Sequence, residues 1–238
     1  MTKRLGQVVH TGRNVADNVV ELYVGNLAEF NADLTGVSEN ISPNVRIIQA
    51  NVQLRNVADL YGGFRLDTAL GFCTSGFSVK KSSTGKRGIA TAGHCTDPIR
   101  YSGKQLNFGG EVHTGAYDVA WYKATGFTIL NRISTGGSIR SITSTRIRSQ
   151  QSVGAYVCKY GISSGYACGQ VVDNVWDGVN VRTNYLVDGG DSGGPNFVGN
   201  DAWGTTISEL FINNQEVGMV YSPVDNLNGL LGVQVLIQ

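Results

Sequence analysis

Residues 189–195 read GGDSGGP, four glycines and a proline around Asp191 and Ser192. Glycine gives up more backbone freedom on folding than any other residue, so such a run needs a steric or functional reason. One reading is a surface turn, because Gly, Asp, Ser and Pro are the ordinary turn formers. The other is a nucleophile loop. There Ser192 attacks a carbonyl, the backbone N–H groups of Gly190 and Ser192 hold the oxyanion that forms, and the glycines let substrate approach the backbone. That second reading requires a fold that brings a base, and an acid to orient it, from elsewhere in the chain.

Three histidines are available. His10 lies in the polar N-terminal segment and His113 in a glycine-rich stretch, and both read as surface residues. His94 differs, because IATAGHC (89–95) delivers it at the end of a run of small and β-branched residues, beside Cys95. A crosslink there would help to hold a base that must be placed to within about 0.5 Å. Asp118 opens the apolar run DVAWYKA (118–124). An acid at the head of a strand carrying Trp121 and Tyr122 can hold an imidazole in one tautomer and stabilise the imidazolium. The plainer alternative is a strand-end or turn acid.

Bulk properties narrow the partners. Charged residues make up 16% of the 238 positions and the net charge is +1. That leaves no electrostatic footprint for nucleic acid or an anionic membrane. No apolar run approaches the roughly 18 residues of a membrane span, and MTKRLGQVVHTGRN (1–14) lacks the apolar core of a signal peptide. The four cysteines, Cys73, Cys95, Cys158 and Cys168, show no C-x-x-C spacing of a zinc or thioredoxin-like site. An even count in a low-charge, glycine-rich chain points to two disulfides and an oxidising compartment; the alternative is four buried thiols in a cytosolic protein. The first alternative makes this a secreted protein whose signal peptide has been removed or omitted.

Short β-rich runs dominate: CTSGFSV, GIATAG, DVAWYKA, AYVCKYG, GQVVDNV, VNVRTNYLV, AWGTTIS and VGMVYS, punctuated by Gly, Asn, Ser and Asp. This spacing predicts an antiparallel sandwich or barrel. The texture differs before residue 60. VVELYVG reads as a strand, LAEFNADLTG as a short helix and NVRIIQANVQL as a second strand, so residues 1–60 form a small α+β segment. Gly62 and Gly63 mark its boundary with residues 61–238. Near the end, Ser222 and Pro223 start a helix through DNLNGLL that Gly232 stops.

ATAGHC (90–95), YDVAW (117–121) and GGDSGGP, in the chain order His, Asp, Ser, resemble the chymotrypsin-like serine proteases. CTSGFSV with TAGHC, VCKYGISSGYACG and SPVDNLNGLLGVQV are similar to their secreted bacterial branch, which includes the streptogrisins and alpha-lytic protease. The resemblance runs from about Tyr61 to the end. It implies two antiparallel β-barrels with a cleft between them, His94 and Asp118 coming from the first and Ser192 from the second. It also implies disulfides Cys73–Cys95 and Cys158–Cys168, each worth about 2–4 kcal/mol by loop-closure entropy. Lys159, just after Cys158, is implied to pair with Asp191 and so fix the nucleophile loop. The implied activity is peptide-bond hydrolysis through an acyl-enzyme by a secreted monomer acting on protein or peptide, with no metal and no cofactor.

Two features depart from the family pattern. Asp188 stands where a third disulfide would begin, and no cysteine follows Cys168. The strand expected to pair with substrate, through Ile207, Ser208 and Glu209, lies in TTISEL (205–210) and lacks the usual Ser-Gly-Gly. Counting six positions back from Ser192 puts Leu186 at the base of the specificity pocket, which implies cleavage after apolar or small uncharged residues. A gap would bring Asp188 or Glu209 into the pocket and reverse this. Two other readings stay open. The fold could serve as a noncatalytic binding module. The chain could also be an inactive zymogen, residues 1–60 being either a prosegment that blocks the cleft or assists folding, or an appended domain with an unrelated binding role. A prosegment implies an exposed junction at VADLYGG and self-cleavage between about Ala58 and Gly62.

Overall fold

The computed structural model describes residues 8–33, 42–50 and 58–237. They fall into two compact units, 1–56 and 57–238. The helix expected to continue through 34–36, the strand expected over 51–54 and the side chain of His10 lie outside the described residues.

In the first unit Val8–Asn14 runs antiparallel to Val19–Val24, which in turn pairs in parallel with Val45–Gln49. Parallel neighbours need a crossover, and helix α1 (Leu27–Asp33) lies in it. The Asn26 side chain accepts the N–H groups of Ala28 and Glu29 at 3.0 and 3.3 Å, capping donors the helix cannot satisfy itself. Val24 and Phe30 are buried in its small core. The strand Val8–Asn14 was not expected. Its sequence, VVHTGRN, alternates too weakly to separate it from a polar loop.

The second unit is all-β apart from one short 3₁₀ turn and helix α2 (Val224–Leu231). In its C-terminal half Asp201–Ile212, Pro195–Val198, Tyr156–Gly161, Gly165–Trp176, Asn180–Thr183 and Gln215–Pro223 pair in that order, and the last pairs back to the first. Closure removes every edge of this six-stranded barrel. Its filling includes Val157, Val181, Tyr185, Trp203, Met219 and Tyr221. In the N-terminal half three sheets wrap a core that includes Leu60, Leu66, Ile89, Leu106 and Tyr122. One of them orders Asn107–Thr114, Tyr117–Lys123, Arg87–Thr91, Ser78–Lys81 and the C-terminal Val233–Val235. The chain end thus returns to the first half. It gets there through α2, which ends at Gly232 in the left-handed conformation (φ 58°) and buries Val224, Leu227 and Leu231.

The strand Ala58–Gly62 belongs wholly to this second unit and pairs in parallel with Phe127–Ser134. Of the described residues in the VADLYGG junction, Ala58 and Asp59 are exposed while Leu60, Gly62 and Gly63 are buried. The expectation of an exposed junction therefore fails at Leu60, Gly62 and Gly63, with Tyr61 between them half-buried. The apolar side chain that made Leu60 attractive as a cleavage point is the one the core takes up.

Candidate active site

His94 follows the strand Arg87–Thr91, and Asp118 is the second residue of Tyr117–Lys123, the strand hydrogen-bonded to it. The ladder therefore brings the ends of the two strands, and with them His94 and Asp118, close together. Between Thr91 and His94 the chain passes so close to Asp118 that a Cβ on Gly93 would lie 2.9 Å from its Oδ1. Asp118 Oδ1 accepts the backbone N–H of His94 at 2.8 Å, and Oδ2 lies 2.6 Å from Nδ1. The opposite ring nitrogen, Nε2, lies 2.8 Å from Ser192 Oγ. With a carboxylate on Nδ1 the ring carries its proton there and leaves Nε2 to accept from the hydroxyl. Burial alone would raise the pKa of Asp118. The hydrogen bonds from His94, with the charges of His94 and His113 acting the same way, outweigh burial and hold its carboxyl below the ordinary value.

Ser192 is presented by a loop that only glycine could build. Gly190 has φ +99°, and a Cβ there would sit 2.3 Å from the Phe72 ring; Gly193 has φ +82°, and its Cβ would sit 2.0 Å from Thr91 Oγ1. Thr74 clamps the loop twice, its N–H donating to the Ser192 carbonyl and its hydroxyl to the Gly190 carbonyl, each at 2.8 Å. Gly193 N–H donates to Thr206 at 2.7 Å. The N–H groups of Gly190 and Ser192 donate to nothing among the described residues, so both are available to a ligand oxygen.

Asp191 points away from the cleft, into the barrel. Its Oδ2 meets Lys159 Nζ at 2.8 Å, and both side chains are 0% exposed. The same carboxylate accepts N–H groups of Ser163, Ser164 and Asp188 at 2.9, 3.1 and 3.2 Å and the Ser164 hydroxyl, which also receives a hydrogen bond from Lys159. Burial pushes this carboxyl upward, but the bonds from Lys159 and Ser164 more than offset it and leave its pKa lowered. The turn of Ser163 and Ser164, in GISSG (161–165), was missed as a carboxylate cradle. A pair of serines beside the basic residue's strand is the signal that could have found it.

Disulfides join Cys73 to Cys95 and Cys158 to Cys168. The first anchors the residue after His94, and the second lies beside Lys159. The heteroatoms of Cys73, His94 and Cys95 cluster, but the two sulfurs are spent on each other and offer no thiolate to a metal.

The cleft over Ser192 has a volume of about 460 Å³. Ile207, Ser208 and Glu209 line it, as do Val187, Asp188 and Gly189. Leu186, expected at the pocket base, is 50% exposed and does not line the cleft. It sits in an irregular segment after Asn180–Thr183, where counting by position loses the side-chain direction. His113, read from sequence as a surface residue, is exposed but also lines the cleft, its ring 6.0 Å from that of His94. A larger cavity of about 700 Å³ near Lys86, Lys123 and Phe127 shares no lining residue with this cleft.

This arrangement can be compared with known proteins. No family model matches the chain. Streptogrisin-C of Streptomyces griseus is 31% identical over 179 residues, a match covering 68% of this chain and 38% of the relative. The solved structure of Thermobifida fusca protease A superposes with a TM-score of 0.64 at 25% identity, covering 75% of this chain and 99% of its own. The chain belongs to the chymotrypsin-like serine proteases, in their bacterial branch. Nocardiopsis protease, 24% identical with a TM-score of 0.64 over 75% of this chain and 99% of its own, shares the fold. The chain spans 38% of the length of the streptogrisin-C it matches.

Proposed function

We propose that this chymotrypsin-like protease is a secreted endopeptidase acting on protein or peptide through Ser192, His94 and Asp118. The observation that carries the reading is the continuous line of contacts from Asp118 Oδ2 through His94 to Ser192 Oγ, 2.6 and 2.8 Å long. In this reading Ser192 Oγ bonds to the scissile carbonyl carbon as its proton passes to His94 Nε2. Asp118 keeps the imidazole oriented and stabilises its charged form. The carbonyl oxygen becomes an oxyanion held by the N–H groups of Gly190 and Ser192. His94 then gives the proton to the leaving amine as the C–N bond breaks, and water repeats the sequence on the acyl-enzyme. Two disulfides favour an extracellular site of action. Residues 1–60 are proposed as a prosegment.

A fluorophosphonate probe tests this directly, since only an activated serine reacts. Covalent labelling of Ser192 is expected, abolished in Ser192→Ala, whose turnover should fall roughly 10⁴-fold or more with the fold intact. Labelling that persists in Ser192→Ala, or near-normal peptide hydrolysis by it, would refute the assignment.

A further inference from the structure

Two carboxylates line the cleft beside Ser192 with no partner of their own. Asp188 lines it beside Val187 and Gly189, and Glu209 beside Ile207 and Ser208. Among the described residues neither side chain forms an ion pair or accepts a hydrogen bond. The cleft has no lysine or arginine in its lining, and its third carboxylate, Asp118, is already engaged by His94. Both free acids stand on fixed backbone. Asp188 gives its N–H to Asp191 at 3.2 Å and accepts the Asp191 N–H at 3.0 Å, so the buried Lys159–Asp191 pair anchors it. Glu209 is half-buried and sits opposite the buried Met219 in the closed barrel. The strand lacking the usual small residues is thus the strand that supplies an acid.

The direction of chemistry assigns the ligand. His94 takes the proton of Ser192 and must hand it to the leaving amine, so the leaving group lies on the His94 side of the nucleophile. The residue that supplies the attacked carbonyl (P1) then places its side chain on the other side, toward the part of the lining that holds Val187 to Gly189 and Ile207 to Glu209. An apolar side chain there would strip water from the half-buried Glu209 and lie beside the exposed Asp188 while offering neither a counter-charge. An acidic one would add a third negative charge. A cationic side chain supplies the missing counter-charge to both, and sites that bind through charged partners discriminate strongly against substrates lacking them.

We propose that Asp188 and Glu209 select arginine or lysine at P1, the reverse of the apolar preference expected from the position of Leu186. This rests on the hydrolase reading above. The test uses the full chain in two separate portions, one labelled at Ser192 by the fluorophosphonate to establish an activated serine and the other, unlabelled, profiled with a peptide library. Dominant cleavage after Arg or Lys is expected. Glu209→Gln and Asp188→Asn should each lower kcat/KM for an Arg peptide, relative to a Leu peptide, by about tenfold or more, the order of one lost charge-assisted hydrogen bond. Labelling of one portion together with cleavage mainly after Leu, Phe or Ala by the unlabelled portion would overturn the proposal while leaving the hydrolase reading standing. A basic preference unchanged in both variants would overturn the assignment to these two residues. Absence of labelling would defeat the hydrolase reading and this proposal with it.

Discussion

Asp191 and Ser192 are consecutive, yet one faces the cleft and the other is sealed into the barrel, and the glycines on either side permit that division. Because Gly190 combines φ +99° with a Cβ position 2.3 Å from Phe72, Gly190→Ala must displace the loop. Its N–H would leave the oxyanion position, and kcat should fall about 10²- to 10³-fold, the loss typical of one oxyanion donor, with a smaller change in KM. An alanine variant of unaltered kcat would remove Gly190 from that role. Lys159→Met strands Asp191 without its buried cation, which typically costs about 3–5 kcal/mol; urea denaturation and turnover should decline together. The same pair sets an acid limit. The folded-state pKa of Asp191 is lowered from 3.8, so its contribution to stability is present above the unfolded value and is lost as pH falls through the lower folded value. Unfolding free energy of the wild type should therefore drop more steeply below about pH 4 than that of Asp191→Asn, which has no such proton to bind. Parallel pH profiles for the two would show that the carboxyl is not stabilised in its charged form.

Among the elements, α2 does two jobs: it covers part of the N-terminal half and it returns the chain end to a sheet there. Leu227 is 1% exposed and packs with Val79, Val119 and Trp121, on the sheet that carries Asp118. Leu227→Ala should cost about 2–5 kcal/mol, as for other buried large-to-small changes, read as a lowered urea midpoint. A loss below about 0.5 kcal/mol, the range of surface substitutions, would mean the helix is not docked as described. This helix was legible in the sequence because Pro223 and Gly232 mark its ends by backbone chemistry that needs no tertiary context. The grouping of His94, Asp118 and Ser192 was legible for a related reason: Gly93, Gly190 and Gly193 are forced by close approach, so the packing around these side chains leaves its mark on neighbouring positions. Other features leave no local mark. Gln151 is fully buried, donating to the Arg146 and Trp203 carbonyls and accepting from the Tyr221 hydroxyl, but nothing near it in sequence separates it from a surface glutamine. The place of His113 in the cleft comes from its register opposite Asp118 across a tight hairpin, and register is invisible until the pairing is known. Leu186 failed for the converse reason, since a count along the chain holds only inside a regular element.

The whole chain divides at residues 56 and 57, and that division constrains how a prosegment could be released. Leu60 is 0% exposed and lies opposite Ile129 in the parallel ladder of Ala58–Gly62 with Phe127–Ser134. Cutting after Leu60 would sever that strand and withdraw a leucine from the core of the N-terminal half, a loss on the scale of a large core truncation, about 2–5 kcal/mol. Cutting before Ala58 leaves the strand whole. The sequence just upstream reads NVQLRNV (51–57), in which Arg55 is the residue that a cleft selective for cationic side chains would cut after, leaving Asn56 first. We therefore expect that release of the first unit yields a product beginning at or before Ala58, and that Arg55→Gln slows its appearance while Leu60→Gln leaves the position of the cut unchanged. N-terminal sequencing and intact mass of the stable form decide the matter. A stable, active product beginning at Tyr61 or later would show that the strand Ala58–Gly62 is dispensable and would sink this account of processing.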